Sequence, residues 1–270
     1  MNGKAIYMPK GKAGEYARYA CNFYVGCSND CDYCYCKRGL LGHSMGKPQA
    51  TLKKCFKDKE DAIAVFTKEL YENIDELRQH GLFFTFTSDP CLDETRGLTF
   101  LAVEIATQHS VPCMILTKRA DFASSIPVWW TYDSKQPLIA FGFTLTGHDE
   151  LERGASTNGE RIEAMRKLSC EGFKTFASIE PIIDLKSSTD MISRTLGICD
   201  VYKIGLVSGK RNYTKEDVRR FVDGVNNYLS CHVPTPKVYW KDSVLEYINL
   251  DRSELRGDIC IDSDYNLFNH

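Results

Sequence analysis

The sequence predicts an α/β fold: a partial (β/α)6 barrel of parallel strands with N- and C-terminal extensions. Three observations lead there. Short β-branched or aromatic runs alternate with longer stretches of helical period, the pattern of a parallel sheet with right-handed crossovers. Six such units fit within the 270 residues, whereas a closed barrel of eight would need about 250 with little to spare. No internal repeat, low-complexity segment or linker divides the chain, so it reads as one domain over 1–270, with a core of about 16–230 and a C-terminal extension of about 231–270.

The expected strands are 20–25, 82–87, 113–117, 139–145, 173–179 and 201–206. The clearest helix is 61–79, where Ile63, Phe66, Leu70, Ile74 and Leu77 form one stripe. Helices over 94–109, 159–171, 185–196 and 215–229 follow the same rule, the last opened by Thr214 three residues before Asp217. Chemistry in such folds sits at the C-terminal ends of the strands. Six units also leave a side opening, which favours a substrate that is part of something large.

Composition narrows the class. The chain is 43% hydrophobic and 26% charged with a formal net charge of −2, an ordinary globular balance that argues against non-specific coating of nucleic acid. No apolar signal core opens MNGKAIYMPKGKAGEY and no run approaches the length of a membrane span, so a cytoplasmic setting with no membrane partner is expected. Twelve cysteines are many for such a setting, where clustered thiols bind metal or do chemistry rather than form disulfides. Five lie between Cys21 and Cys36; Cys55, Cys91, Cys113, Cys170, Cys199, Cys231 and Cys260 are scattered and read as small buried hydrophobes.

The stretch Gly26-Cys27-Ser28-Asn29-Asp30-Cys31-Asp32-Tyr33-Cys34 follows the first expected strand with the spacing C-x3-C-x2-C. Three thiolates on one tight loop hold three irons of a [4Fe–4S] cubane and leave the fourth open to the amino and carboxylate groups of a small molecule. Zinc, with a fourth ligand from Cys21, Cys36 or His43, would make the chain a non-enzymatic zinc-binding protein, but no second cysteine knuckle exists. A non-enzymatic iron–sulfur electron carrier would want a fourth matching cysteine.

The motif resembles the signature of the radical S-adenosylmethionine superfamily, including Tyr33 before the last cysteine. The string GCSNDCDYCYCKRG resembles its spore photoproduct lyase-like branch. The resemblance continues through Thr87-Ser88-Asp89-Pro90 with Glu94, Leu116-Thr117-Lys118, Glu152-Arg153-Gly154-Ala155-Ser156 with Glu160-Arg161-Ile162, and Ser178-Ile179-Glu180-Pro181-Ile182-Ile183, covering roughly residues 16–206. It implies a radical enzyme that reductively cleaves S-adenosylmethionine at the cluster and abstracts hydrogen from a substrate. A one-electron reductant such as flavodoxin or ferredoxin is implied with it. Ser88, Lys118 and Thr144 match cofactor contacts of that branch. Tyr33, Asp89 and Glu180 complete the expected cofactor set, the last as a carboxylate for ribose hydroxyls or a substrate amine, although Asp89 and Glu94 also suit helix capping. Arg161 is expected to pair with Glu160 or Glu180.

One departure stands out. The branch has a hydrogen-donating cysteine where this chain has Phe86, whose C–H bonds are strong. Tyr35 matches a tyrosine near that donor, and Cys91 is the nearby thiol that can replace it. The substrate is not named by the sequence. Lys237-Val238-Tyr239-Trp240-Lys241, with Lys53, Lys54, Lys57 and Lys59, reads either as a strand with solvated lysines or as a nucleic-acid groove, so nucleic acid and protein are the candidate macromolecular substrates.

Overall fold

The computed structural model describes residues 3–38, 42, 45–132, 136–209, 211–255 and 258–269; His43 lies outside them. The strands are β1 (Ile6–Tyr7), β2 (Ala20–Cys21), β3 (Tyr24–Val25), β4 (Thr51–Leu52), β5 (Leu82–Phe84), β6 (Cys113–Thr117), β7 (Ile139–Thr144), β8 (Lys174–Ile182), β9 (Val201–Leu206) and β10 (Lys237–Trp240). Eight form one sheet in the order β1-β2-β5-β6-β7-β8-β9-β10, and β3 pairs with β4 separately. Every neighbouring pair in the large sheet is parallel except β1 with β2. This is the expected partial barrel, with β10 from the C-terminal extension adding a further parallel strand.

The helices are α1 (Lys59–Glu72), α2 (Ile74–His80), α3 (Asp93–Gln108), α4 (Val128–Tyr132), α5 (Asn158–Cys170), α6 (Leu185–Thr195), α7 (Lys215–Ser230) and α8 (Asp242–Ile248). Strand alternation sorts the two faces. On β7, Ile139, Phe141 and Phe143 face the helix-side core while Ala140 faces the barrel interior. Side-chain caps start the helices: Thr157 and Thr214 each form a capping box, with Glu160 and Asp217, and Asp58 and Asp184 accept from backbone amides. No helix among the described residues is long and apolar enough to cross a membrane.

Two expected elements are divided. The helix over 61–79 breaks at Asn73, whose side chain donates to Glu69 O (2.8 Å), an alternative to helix continuation. The strand over 20–25 splits because buried Asn22 turns the chain out of the sheet. Its Oδ1 accepts from Phe86 N (2.9 Å) and Thr85 Oγ1, and its Nδ2 donates to Tyr7 OH (2.6 Å). That turn aims residues 26–34 at the barrel mouth.

The side opening expected between the sheet edges is bridged. Segment 11–17 reaches across it: Tyr16 packs on Phe83 of β5, while its hydroxyl hydrogen-bonds Ser178 Oγ (2.6 Å) and Glu180 (2.7 Å) of β8. Glu15 accepts from Asp242 N (2.8 Å) beyond β10. Below, segment 259–268 pairs with β10 through Val238 N–Ile259 O (2.8 Å), places Leu267 in the interior cluster and reaches α2 through Asn266 Nδ2–Gln79 O (3.0 Å). Lys241 is not solvated: its side chain is 2% exposed and pairs with Glu180 (2.9 Å) and Glu15 (3.4 Å).

Close interior packing gives a test. A Cβ on Gly142 would lie 2.2 Å from the Phe176 ring, whereas one on Gly224 within α7 would meet nothing within 4 Å. Gly142→Ala is expected to lower unfolding free energy by about 1–3 kcal/mol, and Gly224→Ala to raise it by about 0.5–1 kcal/mol. Urea titration of both variants checks the pair; equal shifts would contradict the interior placement of Gly142.

Candidate functional site

The cysteine loop begins where β3 ends and is shaped by close backbone approach. Gly26 has φ +87°, and a Cβ there would sit 2.3 Å from Gln49 O. Backbone hydrogen bonds fix the rest: Gly26 N to Thr87 O (3.1 Å), Cys27 N to Lys47 O (3.0 Å) and Asp32 N to Leu151 O (2.9 Å). Cys31 forms an isolated bridge with Glu152, and Gly154 N donates to Asn29 O (3.0 Å). A Cβ on Gly154 would fall 2.0 Å from Ser28 O, so only glycine admits this approach.

Cys27, Cys31 and Cys34 are free thiols on this loop. Among the described residues no three His, Cys, Asp or Glu side chains stand close enough to share a metal ion. Burial, reinforced by Asp89, pushes the Cys27 thiol up to about 12, and burial also raises Cys31. Cys34 is lowered to about 6, chiefly by its hydrogen bond with Cys36 and further by Lys118 and Lys37. A metal held by these three thiolates would displace protons from at least the first two.

Around the loop stand the other expected residues. Asp89 is 5% exposed and its carboxylate accepts from Asn29 Nδ2 (2.7 Å), Cys91 N (2.9 Å), Thr117 Oγ1 (2.6 Å) and Lys118 N (2.8 Å). Those four donors leave it a clamp between the cysteine loop and the end of β6. Lys118 projects from that end, 5.6 Å above the Tyr33 ring. Burial works against its charge, but Cys31, Glu152 and Asp89 outweigh burial and hold its pKa above the ordinary value. Its ammonium has no hydrogen-bond or ion-pair partner among the described residues, and the buried Ser88 Oγ and Asn29 Oδ1 also lack partners. Orphaned donors and acceptors beside three thiols are what an amino-acid-bearing cofactor on a thiolate-held cluster would satisfy.

Tyr33 OH donates to Glu152, which is fully buried against Arg161. Arg161 therefore pairs with Glu152 rather than with Glu160 or Glu180, and its other nitrogens donate to Thr144 O (2.5 Å) and Ser156 O (2.8 Å). Thr144 is thus fixed at the end of β7, 4% exposed. Glu180 is engaged by Tyr16 and Lys241, and Gly205 makes room for it, since a Cβ there would be 2.8 Å from the Glu180 carboxyl carbon. Beside it Lys203 is lowered to about 7, first by burial and then by Lys241.

The two hydrogen-donor candidates separate. Tyr35 reaches the site: its hydroxyl donates to Phe86 O, and Cys36 Sγ lies 3.7 Å from the same oxygen. Cys91 does not: it is 0% exposed and packs in the helix-side core, because Asp89 draws the Cys91 amide inward. Phe86 itself stacks on Phe83 at 4.5 Å inside the barrel. Sequence reasoning missed Tyr16, Lys203 and the hydrogen-bonding roles of Asn29 and Glu152; the last two, lying in resembling segments, carried a signal.

No family model matches the chain, and no curated protein matches it. Among solved structures, it is similar to a mutant of spore photoproduct lyase with dinucleoside spore photoproduct, at TM-score 0.63 and 16% identity over 87% of this chain and 80% of that one. A lyase variant with bound AdoMet and dinucleoside spore photoproduct gives 0.63 and 17%, over 86% and 78%. SuiB of Streptococcus suis bound to S-adenosylmethionine gives 0.57 and 12%, over 84% of this chain and 51% of that one. The shared feature is the fold, a partial barrel of parallel strands.

The loop carrying Glu152 is tied to α6 by His148, whose two ring nitrogens meet Glu150 (2.7 Å) and Asp184 (2.6 Å). Both acceptors are carboxylates, so the ring must be doubly protonated to bond both. Burial opposes that charge, yet the carboxylates raise the pKa, while Asp184 and Glu150 are lowered. His148 therefore adds stability fully present below about pH 6.5 and lost as pH rises through its raised folded value. The carboxylates carry the opposite sign and lose theirs as pH falls through their depressed values. The stability gap between the unmodified chain and His148→Gln is expected to be largest near about pH 5.5–6 and to shrink toward about pH 8. Denaturation at both ends of that range measures it; a constant gap would mean a neutral ring.

Proposed function

We propose that the chain is a radical S-adenosylmethionine enzyme, with a [4Fe–4S] cluster on Cys27, Cys31 and Cys34. The observation that carries this reading is the C-x3-C-x2-C loop docked at the barrel mouth beside Lys118, whose ammonium has no hydrogen-bond or ion-pair partner among the described residues. With S-adenosylmethionine at the open iron, such a cluster supplies reductive cleavage to methionine and a 5′-deoxyadenosyl radical.

The chain's residues do the rest. Lys118 binds the cofactor's carboxylate and Ser88 offers its unpartnered hydroxyl. Thr144 would offer its hydroxyl to the ribose, Glu180 would take part through the Tyr16 and Lys241 groups that engage its oxygens, and Tyr33 sets the floor beneath the Lys118 ammonium. Asp89 acts through Lys118 and Asn29, since its own oxygens are occupied. An external one-electron reductant, of the flavodoxin or ferredoxin kind, reaches the cluster in a cytoplasmic setting. Spore photoproduct repair is not proposed, because Phe86 stacked on Phe83 offers no weak bond to a substrate radical.

Anaerobic reconstitution is expected to give about four irons and four sulfides per chain. Cys27→Ala, Cys31→Ala and Cys34→Ala should each abolish the visible chromophore, and Cys36→Ala should keep it. Dithionite reduction with S-adenosylmethionine should release 5′-deoxyadenosine; iron without this product would make the chain an electron carrier, and stoichiometric zinc without colour would make it a zinc protein. Lys118→Ala, with normal iron content, should weaken S-adenosylmethionine binding by about 1.5–3 kcal/mol. Equilibrium binding at matched cluster content checks this, and unchanged affinity would remove Lys118 from the site.

A further inference from the structure

We propose that Lys12, Arg38 and Arg211 form a binding site for a phosphoryl group of the substrate at the barrel mouth. Three distant segments converge on the loop after β9. Lys12 Nζ donates to Ser208 Oγ (3.0 Å), Arg38 NH1 to Ser208 O (3.4 Å), and Arg211 Nε to Val207 O (3.1 Å). All three acceptors are neutral. Among the described residues none of the three cations has a carboxylate within ion-pair distance, although the chain as a whole carries a formal charge of −2.

Neighbouring acids are already committed. Glu15 and Glu180 are paired with Lys241, Asp242 with Arg252 and Asp30 with Lys37. The adjoining cavity, of about 480 Å³, is lined by Lys12 and Arg211, by Ser243 and Tyr247, and by Glu15, Asp242 and Glu246, of which the first two have cationic partners of their own. Arg211 is held with its guanidinium 4.6 Å from the Tyr247 ring, which fixes its position at the cavity. Like charges gathered on neutral acceptors repel one another, and an anion among them removes that repulsion.

The geometry selects the anion. Donors arriving from three directions suit a tetrahedral phosphoryl group, which presents three acceptor oxygens, better than a planar carboxylate. Lys12 and Arg211 border a concavity, with Arg38 meeting Lys12 at Ser208, an arrangement that suits a small group better than an acidic protein docking over a flat face. The site sits at the C-terminal end of β9, and Arg38 follows Cys34 by four residues in the chain. A phosphoryl group held there anchors a substrate whose reactive part extends over the interior, so remote binding energy serves orientation. This role in the substrate rests on the radical-enzyme reading; the anion site itself does not.

The test is titration of the metal-free chain with inorganic phosphate, at ionic strength matched with chloride, by calorimetry and by the rise in unfolding temperature. Saturable one-site binding is expected, weakened about tenfold or more by each of Lys12→Gln, Arg38→Gln and Arg211→Gln. The thermal shift on the unmodified chain stands even where a variant folds poorly. A nucleoside monophosphate binding more tightly than phosphate, with the same sensitivity to the variants, supports a phosphorylated small molecule. A short single-stranded oligonucleotide doing so supports a nucleic-acid strand as the source. No saturable phosphate binding, variants that bind as the parent does, or binding only by an acidic electron carrier would each overturn the proposal. Because no metal is needed, such a failure is separable from a failure to form the cluster or 5′-deoxyadenosine.

Discussion

Glu152 and Arg161 have no solvent to return to: both side chains are 0% exposed, and each charge is compensated by the other. Removing one partner of such a pair costs about 3–5 kcal/mol, against about 0–1 kcal/mol for an exposed pair. The difference decides which of the ion pairs matters to the site. Glu152 bridges Cys31 through its backbone and receives Tyr33 through its side chain, while Arg161 holds the carbonyl of Thr144. The cysteine loop, the ring beneath Lys118 and the end of β7 thus take their positions from one buried contact.

A second carboxylate completes the arrangement by a different route. Among the described residues Asp89 has no ion-pair partner, and it is satisfied by four donors, three of them on the cysteine loop or at the end of β6. Hydrogen bonds to an ionised group are worth more than neutral ones, and these fix separations rather than merely fill space. The polar layer below, where Tyr16, Ser178, Glu180 and Lys241 satisfy one another, divides the site from the apolar interior around Phe83, Phe176 and Leu267.

Much of this was readable in the sequence because it is local. Strands 113–117 and 201–206 agree with the structure to the residue, since buried runs bounded by turns leave little choice. The cysteine spacing, Lys118 and Tyr33 are likewise local signals. What escaped depends on long-range pairing. Asn22 ends β2 by bonding residues sixty-odd positions away, which no periodicity records. Arg161 lies one residue from Glu160 in sequence, but helix geometry points it into the core toward Glu152. Lys241 resembled a surface lysine because its partners, Glu15 and Glu180, lie 226 and 61 residues away in the chain. Cys91 lay close in sequence to the site yet points behind the sheet.

The two segments that close the barrel have a kinetic consequence. Lys12 meets Ser208 across 196 residues, and Asn266 meets Gln79 across 187. Contacts of such separation are slow to form, because loop closure must precede the gain they bring. The wall of strands and helices can assemble from neighbouring units, whereas the interior loses its water only when both distant segments arrive. Closure is therefore the late event of folding, and until then the lysines and carboxylates destined for the interior remain hydrated and the barrel stays open from the side and from below.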